Sequence, residues 1–279
     1  MSTSMPSTSM ASTDMTSCKQ AGSGHARTTL YRTFPPLPLA ACLVVAGMFP
    51  HAARAETTGN IALTSDYVFR GTSQNNEEPA LQGGIEYAHD SGFYIGTWGS
   101  NVSWLSDAGG GISSSLELDG YLGYRGSAGD SFAYDVGVLQ YWYPGDYPSG
   151  FNSADTTELY AGFTFTPIEA LGLGLKYSYA VSDLFGYADS DGSGYLDASA
   201  NWTFAEGWTL NVHGGKQWIE HNDAFEYADW KIGVTKAFDN GFSIAGAWTD
   251  TDADTALYTN AHGNEVADGR FALTVTKTF

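Results

Sequence analysis

The chain has 279 residues, 31 acidic and 12 basic, for a formal net charge of −19. So acidic a sequence excludes nucleic acid as a partner, because phosphate binding needs clustered Lys and Arg, and it disfavours electrostatic attraction to anionic lipid. Both cysteines, Cys18 and Cys42, fall in the first 55 residues, so the rest offers no disulfide, thiol nucleophile or cysteine metal ligand.

The N-terminal stretch 1–33 is rich in Ser and Thr, and Met1, Met5, Met10 and Met15 offer alternative starts. Arg27 and Arg32 precede an apolar run, Leu37–Phe49, and Ala53-Arg54-Ala55 supplies a small-x-small pattern. This predicts a secretory signal peptide over 1–55, cleaved after Ala55. The run is shorter than the roughly 20 residues of a spanning helix. A lipoprotein signal ending at Cys42 ranks second, because most of the apolar run follows that cysteine. The mature chain, 56–279, then carries 30 acidic and 8 basic residues, a net charge of −22.

From residue 56 onward the pattern is alternation with period two, the mark of strands with two unlike faces. In Asn60–Arg70, Ile61, Leu63, Tyr67 and Phe69 oppose Ala62, Thr64, Asp66 and Arg70. In Ser115–Arg125, Leu116, Leu118, Leu122 and Tyr124 oppose Glu117, Asp119 and Arg125. Leu171–Val181 sets Leu171, Leu173, Leu175, Tyr177, Tyr179 and Val181 against Gly172, Gly174, Lys176 and Ser178. In the last run Phe271, Leu273, Val275 and Phe279 oppose Ala272, Thr274, Thr276 and Thr278.

Twelve such runs start near residues 60, 79, 92, 114, 131, 155, 170, 193, 208, 226, 241 and 269. Every second connection is tight (HDSG, GSAGD, TPIEA, AEG, FDNG), and those between are long and polar. That sorting predicts an all-β fold: a closed antiparallel transmembrane β-barrel of about 12 strands, with short periplasmic turns and long external loops. A secreted β-sandwich also alternates, but its second strand face has no need to be lined by charged residues.

Aromatics mark two levels. Tyr87, Phe93, Tyr124, Phe132, Trp202, Phe204, Trp208, Phe238 and Phe242 flank the short turns; Trp104, Trp142, Tyr179, Trp218, Trp230 and Trp248 sit near the long loops. Two girdles are what the two interfaces of a bilayer select. The terminal Phe279 on an alternating last strand reads as a signal for the barrel assembly machinery, although Lys277 stands where an apolar residue is usual.

Three motifs, SDYVFRGTSQ (Ser65–Gln74), PALQGG (Pro79–Gly84) and SGFYIGTWGSNV (Ser91–Val102), resemble the start of the TorF-type porin family, also called Gcw_chp. The resemblance implies a bacterial outer-membrane β-barrel of porin type, with lipid and small solutes as partners, and it carries over no catalytic or binding residues. The long leader before Arg27 departs from the family pattern.

By parity the lumen receives Asp66, Glu86, Glu117, Asp119, Asp135, Glu158, Asp197 and Asp229, with Arg70, Arg125, Lys176 and Lys231. Ionisable groups at membrane depth need water or partners, so the interior is either an open lumen with a net −4 lining, favouring cations or neutral solutes, or a salt-bridged plug. The segment Asp189–Ala200 imitates a calcium loop, but its twelfth residue is Ala200 and no helix flanks it, which rejects an EF-hand. Asp183, Asp189, Asp191, Asp250, Asp252 and Asp254 are at most weak cation ligands on solvated loops, and no cofactor is expected. His213 facing Ser199 and Asp197 could imitate a catalytic triad, but no G-x-S-x-G motif occurs and an enzyme is not expected. A non-conducting structural or adhesive barrel is the remaining alternative.

Overall fold

The computed structural model describes residues 55–279; the expected signal segment and its lipoprotein rival lie before these. Twelve antiparallel strands close a barrel. In chain order these are β1 (Glu56–Thr64), β4 (Ala80–Ala88), β5 (Phe93–Asn101), β6 (Leu116–Ala128), β7 (Phe132–Trp142), β8 (Thr156–Ile168), β9 (Leu171–Ala180), β10 (Gly194–Ala205), β11 (Trp208–Trp218), β12 (Tyr227–Ala237), β13 (Phe242–Thr251) and β14 (Arg270–Thr278). A two-stranded hairpin, β2 (Val68–Phe69) with β3 (Thr72–Ser73), stands apart from the wall.

Each wall strand pairs with its neighbours in sequence, and β1 closes the circle by pairing β14, with Asn60 opposite Thr278 and Leu63 opposite Val275. The closure ends on Phe279, whose N–H donates to the Gly59 carbonyl at 2.9 Å. A closed ladder leaves no unpaired edge, which is what a strand needs to cross hydrocarbon. The strand lengths, 9 to 13 residues, suit a tilted crossing.

Period two decides which side chains face out. Ile61, Leu63, Leu81, Ile85, Leu122 and Leu273 are all exposed, in a continuous apolar exterior. In water such a surface is an aggregation liability; in a bilayer it is the solvated face. At the short-turn end Phe93, Phe132, Trp202, Phe204, Trp208, Phe238 and Phe242 form the expected girdle, with Trp142, Tyr179, Trp218, Trp230 and Trp248 at the other. Lys277, anomalous in the last strand, lies at the short-turn rim and donates to the carbonyls of Asn240 (2.7 Å) and Thr278 (2.9 Å). Its ammonium also lies 5.1 Å from the Phe279 ring centre. A long cationic side chain at an interface can place its stem in lipid and its head at the polar boundary.

Three expectations are corrected. Tyr67 and Phe69 are not on the lipid face: β1 ends at Thr64 and the chain turns into the barrel, so Tyr67 is buried and Phe69 packs inside. Asp66 and Arg70 enter with this inward segment and not from a wall strand. Trp104 belongs to a one-turn helix, α1 (Trp104–Asp107), and packs edge-on against Tyr143 at 5.5 Å, away from the girdle. In each case the long loop has enough apolar residues to bury themselves under its own turn. The result is an internal core beneath the long loops: Tyr67, Val102, Leu105, Ile112, Leu139, Tyr141 and Tyr143, joined by Phe69, Trp104 and Phe185.

Candidate functional site

The inward segment between β1 and β4 dominates the lumen. Its tip is Arg70-Gly71, both at positive φ (46° and 84°), as a two-residue type I′ hairpin requires. Gly71 is obligatory: a Cβ there would lie 2.6 Å from Asp229 Cβ and collide with the Thr251 methyl. The tip therefore lies against the wall at β12 and β13, three and two strands from β1 around the barrel. The segment staples itself. Asn75 accepts the Tyr67 N–H at 2.8 Å, Gln74 N–H donates to the Tyr67 carbonyl at 2.7 Å, and Ser73 N–H donates to Val266 O at 2.7 Å.

Arg70 locks the tip. One terminal nitrogen donates to both carboxylate oxygens of Glu158 (2.9 and 2.7 Å) and the other to Gln217 Oε1 (2.8 Å). The guanidinium plane also covers the rings of Tyr195 (4.4 Å) and Phe69 (4.8 Å). A planar fork suits a carboxylate and an amide oxygen held apart, which is why Arg serves here better than Lys. At the foot of the segment Asp66 accepts from Ser73 Oγ (2.7 Å) and pairs with Arg270 at 3.5 Å. Burial raises the Asp66 carboxyl above its ordinary range, opposed by Ser73 and Arg270.

The remaining lumen groups fall into three sets. Towards the short turns, Arg125 pairs with Glu86 (2.8 Å) and covers the Tyr94 ring (3.8 Å). Tyr94 donates to Asp135 at 2.5 Å, and its hydroxyl also meets that of Tyr160. On β6, Glu117 accepts from Tyr67 (2.9 Å) and Tyr143 (3.0 Å), with Asp119 buried two residues on. On β10 to β12, His213 is held between two carboxylates, Nδ1 2.9 Å from Asp197 and Nε2 2.7 Å from Asp229. Tyr195 joins this set by donating to Asp229 at 2.8 Å.

A cavity of about 60 Å³ lies beside the hairpin tip, lined among others by Arg70, Lys176, Ser178, Asp197, Asp229 and Lys231. At about 10–15 Å³ per water centre this holds roughly four to six waters. Of the residues expected from sequence, Arg70, Lys176, Asp197, Asp229 and Lys231 line this cavity, Asp66 lies at the foot of the inward segment, and Glu86, Glu117, Asp119, Arg125, Asp135 and Glu158 lie in the contacts described above. Parity also places Arg270, opposite the outward Phe271, inside, although it is absent from the expected set; counting it, five bases oppose eight acids, a net −3.

The triad imitation fails on geometry. With both His213 nitrogens on carboxylates, none is left to deprotonate the Ser199 hydroxyl, which a nucleophilic mechanism requires. Among the described residues no group of three or more His, Cys, Asp or Glu side chains is arranged to hold a metal ion. Of the loop aspartates, Asp252 accepts the Ala228 N–H at 2.6 Å and Asp254 that of Ala256 at 2.9 Å. Asp189 offers its carbonyl to His221 at 2.8 Å, and Asp191 lies in the same loop.

A family model described as "Bacterial protein of unknown function (Gcw_chp)" matches residues 50–279. The chain belongs to this family. No curated protein matches it. Among solved structures, this Gcw_chp chain is similar to the KdgM porin, at a TM-score of 0.52 and 10% identity over 80% of this chain and 99% of that one. It is likewise similar to the NanC porin, at a TM-score of 0.52 and 10% identity, covering 80% of this chain and 99% of that one. Another KdgM structure, at 9% identity and 0.52 over the same shares, is in complex with disordered oligogalacturonate. At such identities the likeness is one of fold: a porin-type barrel closed by twelve strands.

Proposed function

We propose that this Gcw_chp chain is an outer-membrane, porin-type channel that passes small solutes by passive diffusion. The observation that carries the reading is the ionisable cavity beside the Arg70 tip, inside a barrel whose exterior is apolar. Charged groups are tolerated at membrane depth where water reaches them. The core beneath the long loops fills the side of the lumen near β6 to β8, and the cavity lies beside the hairpin against β9 to β13. The net −3 lining favours cations and neutral solutes over anions.

The protein is not an enzyme on this reading, because Asp197 and Asp229 hold His213 and Ser199 has no base; Ser199→Ala is expected to leave every property unchanged. Conductance in planar bilayers, with reversal potentials under a salt gradient, tests the channel. Small cation-selective steps are expected, and silence or clear anion selectivity would sink it. A closed, structural barrel is the second reading, favoured by the Arg70–Glu158 clamp, which braces the hairpin across the lumen. Arg70→Gly distinguishes the two: a wild-type barrel that is silent and stays silent when the clamp is removed is a brace.

A further inference from the structure

Lys176 is anomalous among the lumen cations. Arg70, Arg125 and Arg270 each pair with a carboxylate. Lys176, partly buried on β9, has no hydrogen-bond acceptor or carboxylate partner among the described residues; its ammonium only faces the Tyr160 ring, 4.2 Å from its centre. The surrounding carboxylates are all engaged elsewhere. Asp197, directly opposite on β10, turns to His213; Glu158 is taken by Arg70; Asp135 accepts from Tyr94. Two residues along the same strand, Ser178 is buried, lines the same cavity and has no partner for its hydroxyl among the described residues. Arg70 lines the same space.

An enclosed ammonium normally finds an acceptor, since leaving one unpaired away from water is costly. Here two adjacent unpaired donors and a neighbouring arginine line one cavity with room for several waters. We propose that Lys176 and Ser178 form an oxyanion subsite on the channel wall, taking the carboxylate or phosphate of a small solute. Lys176 supplies charge and up to three donors, and Ser178 one neutral donor at the shoulder of the anion. The acidic remainder of the lumen keeps the stay of such a group short. The subsite rests on the channel reading for its purpose but not for its existence, because binding is measurable without conduction.

The test uses the barrel in detergent micelles, with inorganic phosphate as the probe and its ³¹P linewidth as the readout. Saturable broadening is expected with the wild type, reversed by acetate. K176M is expected to weaken binding by about tenfold or more, since a charge-assisted hydrogen bond is lost, and S178A by a few-fold. K216M, at a half-buried lysine near the long-loop end of β11 that faces Glu226 outside the cavity, serves as the control and leaves the broadening unchanged. Heat-modifiable gel migration establishes that each variant is folded. Broadening that is absent in the wild type, or undiminished in folded K176M, overturns the subsite. Phosphate binding in a barrel that carries no current refutes the channel and leaves the subsite standing; current without binding does the reverse.

Discussion

Arg70 is the residue on which the interior turns, and its removal has a calculable cost. Arg70→Met deletes the fork to Glu158 and Gln217 and leaves Glu158, 2% exposed, with only the Tyr141 hydroxyl at 3.3 Å. Stranding one partner of a buried ion pair costs about 3–5 kcal/mol. Arg70→Gly loses the same fork but removes the strain of an L-residue at φ 46°, which is worth about 1–2 kcal/mol. The glycine variant is therefore the milder by that amount. Removing both charges, as in Arg70→Met with Glu158→Gln, is expected to recover most of the loss, because no charge is then left buried alone.

Denaturant unfolding of the barrel in micelles reads these differences as shifts in midpoint at constant slope. Planar-bilayer recordings read the consequence for the lumen: with the clamp gone the tip is free to leave the β12–β13 wall, so conductance rises in both single variants. The reasoning fails if Arg70→Met lies within about 0.5 kcal/mol of wild type, the range of a neutral surface change. It fails equally if the double variant is as unstable as the sum of the singles, which would mean that Arg70 and Glu158 do not act as a pair.

Other expectations follow from the same geometry. Gly71→Ala puts a methyl into Asp229 and Thr251 at a φ of 84°, so the tip is expected to detach, with stability falling by about 1–3 kcal/mol in the same unfolding assay. His221, exposed on the loop after β11, is held above its ordinary 6.5, first by the hydrogen bond to the Asp189 carbonyl and then by Glu220. A raised histidine favours the folded contact below the unfolded value and loses that contribution as pH rises through the folded one. An NMR titration of His221 should therefore show a midpoint above 6.5 that falls in Glu220→Gln; a midpoint at or below 6.5 contradicts the loop contact. Deleting Phe279 removes the N–H that closes onto Gly59 and a 74% exposed aromatic, so conversion to the heat-modifiable form should slow in a time course of assembly.

The wall of the barrel was legible because lipid on one side and polar groups on the other impose strict alternation, and tight turns cannot be confused with long loops. Twelve runs were countable, and all twelve strands start within four residues of the expected points. The inward segment escaped because alternation continues past the end of β1. Tyr67 and Phe69 keep the parity of Ile61 and Leu63, yet they bury themselves against Trp98 and Tyr141 inside the barrel. Parity says which face a side chain takes while the strand persists, and says nothing of where the strand stops. A signal was present in Arg70-Gly71, a dipeptide able to take two positive φ values, but Arg is an unusual residue at the first of these. His213 was visible as inward, whereas its two carboxylates come from flanking strands whose registers only the folded barrel sets.

The residues that carry the family resemblance are the ones that build this interior. Ser65–Gln74 is the inward hairpin, Pro79–Gly84 is where the chain rejoins the wall as β4, and Ser91–Val102 supplies the strand whose Trp98 packs on Tyr67. A lipid-facing position accepts nearly any apolar residue. A hairpin tip jammed against Asp229 and Thr251, with an arginine forked onto Glu158 and Gln217, accepts few alternatives. The three motifs thus place the resemblance on the segment that fills the lumen as well as on the wall that surrounds it.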